Sequence, residues 1–168
     1  MAAKTATTGK VTATAAAAKK DATVFLQRDH TEVHRFFRQY DRLVKGNADV
    51  VERVELARQI CTLVVIHAQI EEEIFYPAAR EAGVEDSLMD EAEVEHDLAI
   101  YLAVKIEEMD PVDEPYDANV KVLGEYIDHH VQEEEGKMFP KCRKSGMDLA
   151  ALATRLAERK AELMAEQV

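Results

Sequence analysis

One motif of eleven residues occurs twice in the chain, as HAQIEEEIFYP at residues 67–77 and as HVQEEEGKMFP at residues 130–140. The copies lie 63 positions apart and share the histidine, the glutamine, two glutamates and the final proline. Each copy carries a glutamate four residues after its histidine, a spacing that places both side chains on one face of a helix. The duplication therefore predicts two similar halves, each of which directs the same pair of side chains inward.

A further histidine lies one helix upstream of each copy. Asp29-His30 precedes the first copy and Glu95-His96 precedes the second, at an offset of 66. All four histidines, and the glutamate of each motif, fall on apolar helical stripes where leucine or phenylalanine would be expected. A buried carboxylate is costly unless it is paired or bound to a metal. The pattern favours a cation between the halves, and its donors favour iron, manganese or zinc over calcium.

Apolar residues recur at three- and four-residue steps along the rest of the chain, a periodicity that predicts helices. The expected helices cover residues 21–45, 48–82, 86–109, 116–144 and 148–165. No segment alternates as a strand does, so the predicted fold class is all-α. Four long helices with short connections are typical of an up-down four-helix bundle, here with an additional C-terminal helix.

Composition and charge set the predicted domain organisation. Residues 1–20 are mostly Ala, Thr and Lys, with four lysines and no acidic residue, which predicts a disordered tail. The bundle is expected over residues 21–145, and a C-terminal amphipathic helix packed on it over residues 146–168. The chain as a whole carries a net charge of −12. Residues 21–168 hold 17 basic and 33 acidic side chains and so repel phosphate, which argues against nucleic acid as a partner. For the basic tail, contact with nucleic acid or an acidic partner is the alternative to a solvated arm.

The same composition argues against a membrane-spanning protein and against a location in an oxidising compartment. No apolar run is long enough to span a bilayer, and the opening lacks the apolar core of a signal peptide. Two cysteines are too few for a disulfide scaffold. We expect a cytoplasmic protein with no membrane partner.

Six residues carry a resemblance to a known family: His30, His67, Glu71, His96, His130 and Glu134. Their arrangement over residues 21–145 resembles the hemerythrin-like HHE cation-binding domain, in its four-histidine, two-glutamate subgroup. The resemblance implies that these residues hold two iron ions, bridged by both glutamates and by an oxo or hydroxo group. It also implies one half with His30 and His67 and another with His96 and His130. The sequence leaves open which histidines share an iron.

The chain departs from the oxygen-carrying hemerythrins on its third helix. Those proteins have a second histidine four residues after the first, whereas here Ile100 follows His96. Their last carboxylate is an aspartate five residues beyond its histidine, whereas Glu134 follows His130 by four. Reversible oxygen carriage is therefore not the favoured function.

Several residues near the six have two interpretations. His34 is a seventh ligand or, as we favour, a boundary histidine, and His129 is expected at the surface. Glu93 faces solvent or orients His96. Tyr126 either donates its hydroxyl to an exogenous ligand or is a core tyrosine.

The acidic runs and the cysteines are assigned in the same way. Glu73 and Glu133 are expected on solvated faces. Their neighbours Glu72 and Glu135, which are equivalent in the repeat, either share that exposure or form hydrogen bonds to the ligands. Cys61 is expected in the core and Cys142 at the surface.

The leading hypothesis is a redox-active di-iron protein that acts on a small oxidant: hydrogen peroxide, dioxygen or nitric oxide. Catalase-like peroxide disproportionation and a role in oxidative stress would follow from it. A non-catalytic sensor, carrier or iron reservoir is the alternative, and a structural zinc site is a third. The sequence therefore leaves open whether the protein is an enzyme.

Overall fold

The computed structural model describes residues 21–112 and 115–166, and every regular element in those ranges is a helix. In chain order the elements are α1 (Ala22–Lys45), α2 (Val50–Ile70), π1 (Glu71–Phe75), α3 (Tyr76–Glu81), α4 (Asp86–Glu108), α5 (Pro115–Glu133), π2 (Glu134–Met138), α6 (Phe139–Cys142) and α7 (Leu149–Glu166). Consecutive long helices pack side by side, and α5 returns beside α1. The predicted all-α bundle with an added C-terminal helix is confirmed. The tail predicted at residues 1–20 lies outside the described residues.

Two predicted long helices contain a wide turn that the periodicity did not reveal. In π1 the backbone N–H of Tyr76 donates to the carbonyl of Glu71, and in π2 that of Phe139 donates to the carbonyl of Glu134. Both bonds span five residues instead of four, as in a π-helix. A proline, which has no N–H to donate, follows each of these donors. The expected α-helices over residues 48–82 and 116–144 are therefore each divided at a motif glutamate.

Short polar turns join the helices. The side chain of Asp49 accepts a hydrogen bond from the N–H of Val51 and caps α2. Asn47 before it has φ 52°, and Gly83, after α3, has φ 76°. These are left-handed conformations that asparagine and glycine tolerate best, so the chain reverses there without strain.

The apolar core consists of two clusters with the polar centre between them. Along α1, Leu26 belongs to one cluster and Val33 to the other, so His30 lies at their boundary. Seven polar residues are buried in the described chain: Thr23, His30, Glu71, His96, Asn119, His130 and Glu134. Five of them belong to the set of six singled out from the sequence.

The C-terminal helix α7 covers one side of the bundle. Leu152, Leu156 and Leu163 are buried in the same cluster as Leu26, and α7 contacts α1, α2 and π1. Burying each leucine contributes about 2 kcal/mol, so α7 is firmly docked. Within residues 21–112 and 115–166, none of the helices has the length and apolar character needed to cross a membrane.

Candidate metal centre

Four imidazole rings from α1, α2, α4 and α5 converge between the two apolar clusters. The Nε2 atoms of His30 and His67 lie 3.0 Å apart, and those of His96 and His130 lie 3.3 Å apart. The structure thus groups the histidines of α1 and α2 at one position and those of α4 and α5 at another.

Two buried glutamates connect the histidine pairs. Glu71 Oε2 lies 3.2 Å from His67 Nε2 and 3.4 Å from His96 Nε2, one histidine of each pair. Glu134 Oε2 lies 3.4 Å from His30 Nε2 and 3.9 Å from His130 Nε2. The donor atoms form two groups, and within each group they lie within 4.8 Å of one another. One group contains His30, His67, Glu71 and Glu134, and the other contains Glu71, His96 and His130. Glu71 therefore belongs to both groups.

The two glutamates retain buried oxygens without hydrogen bonds. Neither Oε1 of Glu71 nor either carboxylate oxygen of Glu134 forms one in the part of the chain that the structure describes. The side chains of both residues are at most 1% exposed, so water does not replace the missing partners. An unpaired buried carboxylate is strongly disfavoured. Imidazole and carboxylate donors with unused lone pairs are the donor set that a transition-metal cation requires.

An outer carboxylate faces the far nitrogen of each ring. The Nδ1 atoms of His30 and His96 lie 2.8 Å from Glu135 and Glu72, respectively, and that of His130 lies 2.9 Å from Glu95. A carboxylate only accepts, so Nδ1 carries the proton and donates, while Nε2 points inward. This arrangement orients the ring and raises its basicity towards a metal.

The fourth ring has a looser contact with its outer carboxylate. His67 Nδ1 lies 3.6 Å from Asp29 Oδ2. Asp29 and Glu95 are the acidic residues that directly precede His30 and His96, but each faces a histidine of the neighbouring helix instead. Sequence reasoning missed these two roles. The available signal was the acid-histidine pair repeated at an offset of 66.

The carboxylates of the candidate site raise the pKa values of His67 and His96. Burial lowers the pKa of His67, but the charges of Glu71 and Asp29 outweigh it and raise that pKa to about 10. Burial likewise opposes ionisation of His96, yet Glu71 and Glu72 raise its pKa to about 9. The pKa of Glu71 is held well below its usual range because the positive charge of His67 outweighs burial. The site favours positive charge, whether from protons or from a metal.

The sequence profile of the hemerythrin HHE cation-binding domain matches residues 21–142. The chain belongs to this family. The match covers α1 to α6 and ends before α7 begins. The HHE domain therefore binds a metal cation, for which the histidine and glutamate cluster is the candidate site.

Comparison with solved structures supports the same fold. A hemerythrin HHE cation-binding domain-containing protein from Mycobacterium kansasii aligns with a TM-score of 0.71 at 22% sequence identity. The alignment covers 87% of this chain and 88% of that chain. At this identity the likeness shows the fold alone. A search of curated protein sequences found no match.

The two halves of the HHE domain differ at one aromatic position of the repeat. Phe139 stacks on His30 with ring centroids 5.9 Å apart, and its equivalent Tyr76 stacks on His96 at 5.6 Å. The Tyr76 hydroxyl lies 3.4 Å from both Glu71 Oε2 and His96 Nε2. Burial, with the nearby negative charges of Glu134 and Glu71, raises the pKa of Tyr76 well above its usual range. This hydroxyl keeps its proton and donates it to Glu71.

Other histidines and glutamates near the motifs lie outside the centre. His34 pairs with Asp128 at 3.0 Å, and His129, 62% exposed, pairs with Glu95 at 3.3 Å. Glu93 accepts a hydrogen bond from Arg80 at 2.8 Å and is not directed at His96.

The structure does not bring Tyr126 to the centre, because its side chain is 39% exposed. The tyrosine that does reach the candidate site is Tyr76, within the first motif, which contacts Glu71 and His96. Cys142, expected at the surface, is fully buried, because α6 turns its side chain into the apolar cluster that α7 covers. Cys61 is also buried.

A small cavity of about 20 Å³ adjoins the four histidines. Its other walls are mainly apolar and are formed by Val33, Leu63, Val64, Ile127 and Val131, with Asp29, Glu32 and Lys160. A space of 10–15 Å³ on this measure is the minimum for one water molecule. Beside the four histidines of the candidate site, the HHE domain therefore has room for a very small molecule.

Proposed function

We propose that the HHE domain holds two iron ions and uses them to disproportionate hydrogen peroxide. One ion would be held by His30 and His67, and the other by His96 and His130. The observation that carries the proposal is the position of Glu71, which lies within reach of both histidine pairs. A shared carboxylate offsets the repulsion between two adjacent cations.

The surrounding residues suit such a pair. Two adjacent iron ions, when bound, would supply a two-electron redox step. In peroxide disproportionation, one molecule of hydrogen peroxide takes up two electrons and two protons to give two water molecules, and a second releases the same number to give dioxygen. The outer carboxylates hold three of the imidazoles in place, since the Nδ1 protons of His30, His96 and His130 remain committed to Glu135, Glu72 and Glu95.

The cavity limits what reaches the centre. Its volume of about 20 Å³ holds little more than one water molecule, which favours peroxide, dioxygen or nitric oxide over larger organic substrates. Its apolar walls favour uncharged molecules. Tyr76 Oη lies beside Glu71 and His96 with its proton retained, so its half of the centre has a hydrogen-bond donor that the Phe139 half lacks.

The absence of a histidine at position 100 favours turnover over storage. Ile100 offers no ligand atom, so the α4 side of the centre has only His96 to coordinate a metal. Fewer protein ligands leave more positions that exchange with solvent or peroxide. We infer that the centre reacts with a bound oxidant and does not return dioxygen unchanged.

The decisive experiment measures iron content and oxygen evolution together. We expect two iron ions per chain after expression with adequate iron, and oxygen release when peroxide is added. Glu134→Ala should abolish the release, whereas Glu133→Ala should preserve it. Glu133 is the matched control, because the charge change is identical but its side chain pairs with Lys137.

Other outcomes would favour different functions. A long-lived, reversible dioxygen adduct of the reduced protein, without peroxide turnover, would favour a carrier or sensor. Stable zinc occupancy with no redox change would favour a structural site. A single metal per chain would contradict the dinuclear centre.

A further inference from the structure

A lysine of α7 contacts the outer carboxylate of one metal ligand. Lys160 Nζ lies 2.8 Å from Asp29 Oδ1, and the other oxygen of Asp29 faces His67 Nδ1 at 3.6 Å. The Asp29 side chain is 12% exposed and that of Lys160 19%, so solvent screens this ion pair only weakly. Lys160 also lines the small cavity together with the four histidines.

The position of Lys160 is set by its neighbours on α7 and α1. Its ammonium group lies 5.9 Å from the centre of the Phe25 ring. The preceding residue in the helix, Arg159, binds Glu73 of π1 through two contacts of 2.7 and 3.2 Å. Buried leucines hold α7 against the bundle on both sides of this pair. The ammonium is therefore held beside Asp29 by the docked helix.

This contact makes the two halves of the centre unequal. Three of the four outer carboxylates approach their histidine to 2.8 or 2.9 Å, and only Asp29, which also binds Lys160, remains at 3.6 Å. Its equivalent in the repeat, Glu95, has the exposed His129 as its second partner. Among the residues that the structure describes, only the α1–α2 half has a partly buried lysine on an outer carboxylate.

We propose that Lys160 is a positioning residue of the metal centre that acts through Asp29 on His67. This inference rests on the proposed di-iron function and extends it beyond the family domain, which ends at residue 142. By taking one oxygen of Asp29, Lys160 limits the negative charge directed at His67. The imidazole is then a weaker electron donor, and the reduced state of the centre is favoured.

Removing the lysine should stabilise the oxidised centre through two effects that act in the same direction. A positive charge near the metals is lost, and Asp29 becomes free to approach His67 Nδ1. For the iron-loaded protein we expect Lys160→Met to raise the ratio of oxidised to reduced centre at a fixed potential by about tenfold. Mediated redox titration, followed by the absorption of the ferric pair, measures this ratio.

Matched variants separate this role from a structural one. Lys160→Arg keeps the charge and should preserve the parental titration. Arg159→Met removes the same charge from the adjacent residue, and because the buried Leu156 and Leu163 still dock α7, it should leave the titration unchanged. In an Asp29→Asn background, Lys160→Met should lose most of its effect. If Lys160→Met and Arg159→Met titrate alike, or if the effect persists without Asp29, the proposal is wrong.

A second measurement does not require iron. In the metal-free protein, the ring nitrogen resonances of His67 should move in Lys160→Met while those of His96 stay in place, and Arg159→Met should move neither. Unchanged His67 resonances would overturn the inference. If the parent bound no iron but its His67 resonances moved as expected, the di-iron function alone would fail.

Discussion

His96 on α4 donates its Nδ1 proton to Glu72 of π1 across 2.8 Å, although the two residues are 24 positions apart. The same distance separates His30 from Glu135, their equivalents in the repeat. The glutamate that directly follows each motif glutamate thus orients a histidine of the neighbouring helix. Each copy of the motif therefore supplies a buried glutamate of the candidate site and, directly after it, a glutamate that orients a histidine.

The outer glutamates should therefore govern metal affinity. We expect Glu72→Gln or Glu135→Gln to weaken metal binding by roughly 10- to 100-fold, because an amide accepts the Nδ1 proton less strongly than a carboxylate. Competition with a chelator would measure the change. Glu73→Gln is the control, since the Glu73 side chain binds Arg159 and Gln69 at the surface. Equal losses in all three variants would indicate a general charge effect.

The number of metal ions per chain should distinguish Glu71, which both histidine pairs share, from His67, which belongs to one pair. Glu71→Ala should remove both metal ions, because Glu71 lies within reach of both histidine pairs. His67→Ala should remove mainly the ion of the α1–α2 half, and His129→Ala should retain both. Elemental analysis of the purified variants tests this order. Identical losses from Glu71→Ala and His67→Ala would contradict the shared position of Glu71.

The metal-free protein should lose stability in mild alkali. The raised pKa values of His67, about 10, and His96, about 9, contribute stability that is complete below the unfolded value near 6.5. That contribution disappears as the pH rises through the folded values. Between about pH 7 and pH 10 we expect the free energy of unfolding to fall by on the order of a few kcal/mol.

Denaturant unfolding at several pH values measures this dependence. The metal-loaded protein should lack it, because the cation replaces the protons on the ring nitrogens. His129→Ala should keep the parental dependence, since His129 is largely exposed. In acid the sign reverses, because Glu71 has a lowered pKa and its contribution is lost as the pH falls. A metal-free protein equally stable at neutral and alkaline pH would show that the histidines are not charged.

The Tyr76 hydroxyl should stabilise the metal-free centre. Tyr76→Phe removes the one donor that reaches Glu71 from the stacked ring, so we expect a loss of about 1 kcal/mol in the free energy of unfolding. Tyr126→Phe, at an exposed position, should change stability by less than about 0.5 kcal/mol. Thermal or chemical unfolding of both variants tests the difference. A larger effect from Tyr126→Phe would place the functional tyrosine on α5.

The fold class, and the convergence of the four histidines and two glutamates of the candidate site, could be predicted because both depend on local spacing. Helical periodicity places residues four positions apart on one face, so His67 with Glu71 and His130 with Glu134 were readable without any tertiary contact. The cost of burying carboxylates then pointed to a cation. The duplication indicated that two such sets face each other.

Tertiary structure alone decided the rest, because it depends on how neighbouring helices align. Which histidines share a position follows from the packing of α1 on α2 and of α4 on α5. Asp29 adjoins His30 in sequence yet faces His67, since adjacent residues point about 100° apart around a helix. The contact of Lys160 with Asp29 spans 131 positions and exists only because buried leucines dock α7 on the bundle. Periodicity reports which face of a helix is buried, but the partner on the other side is set by packing between distant segments.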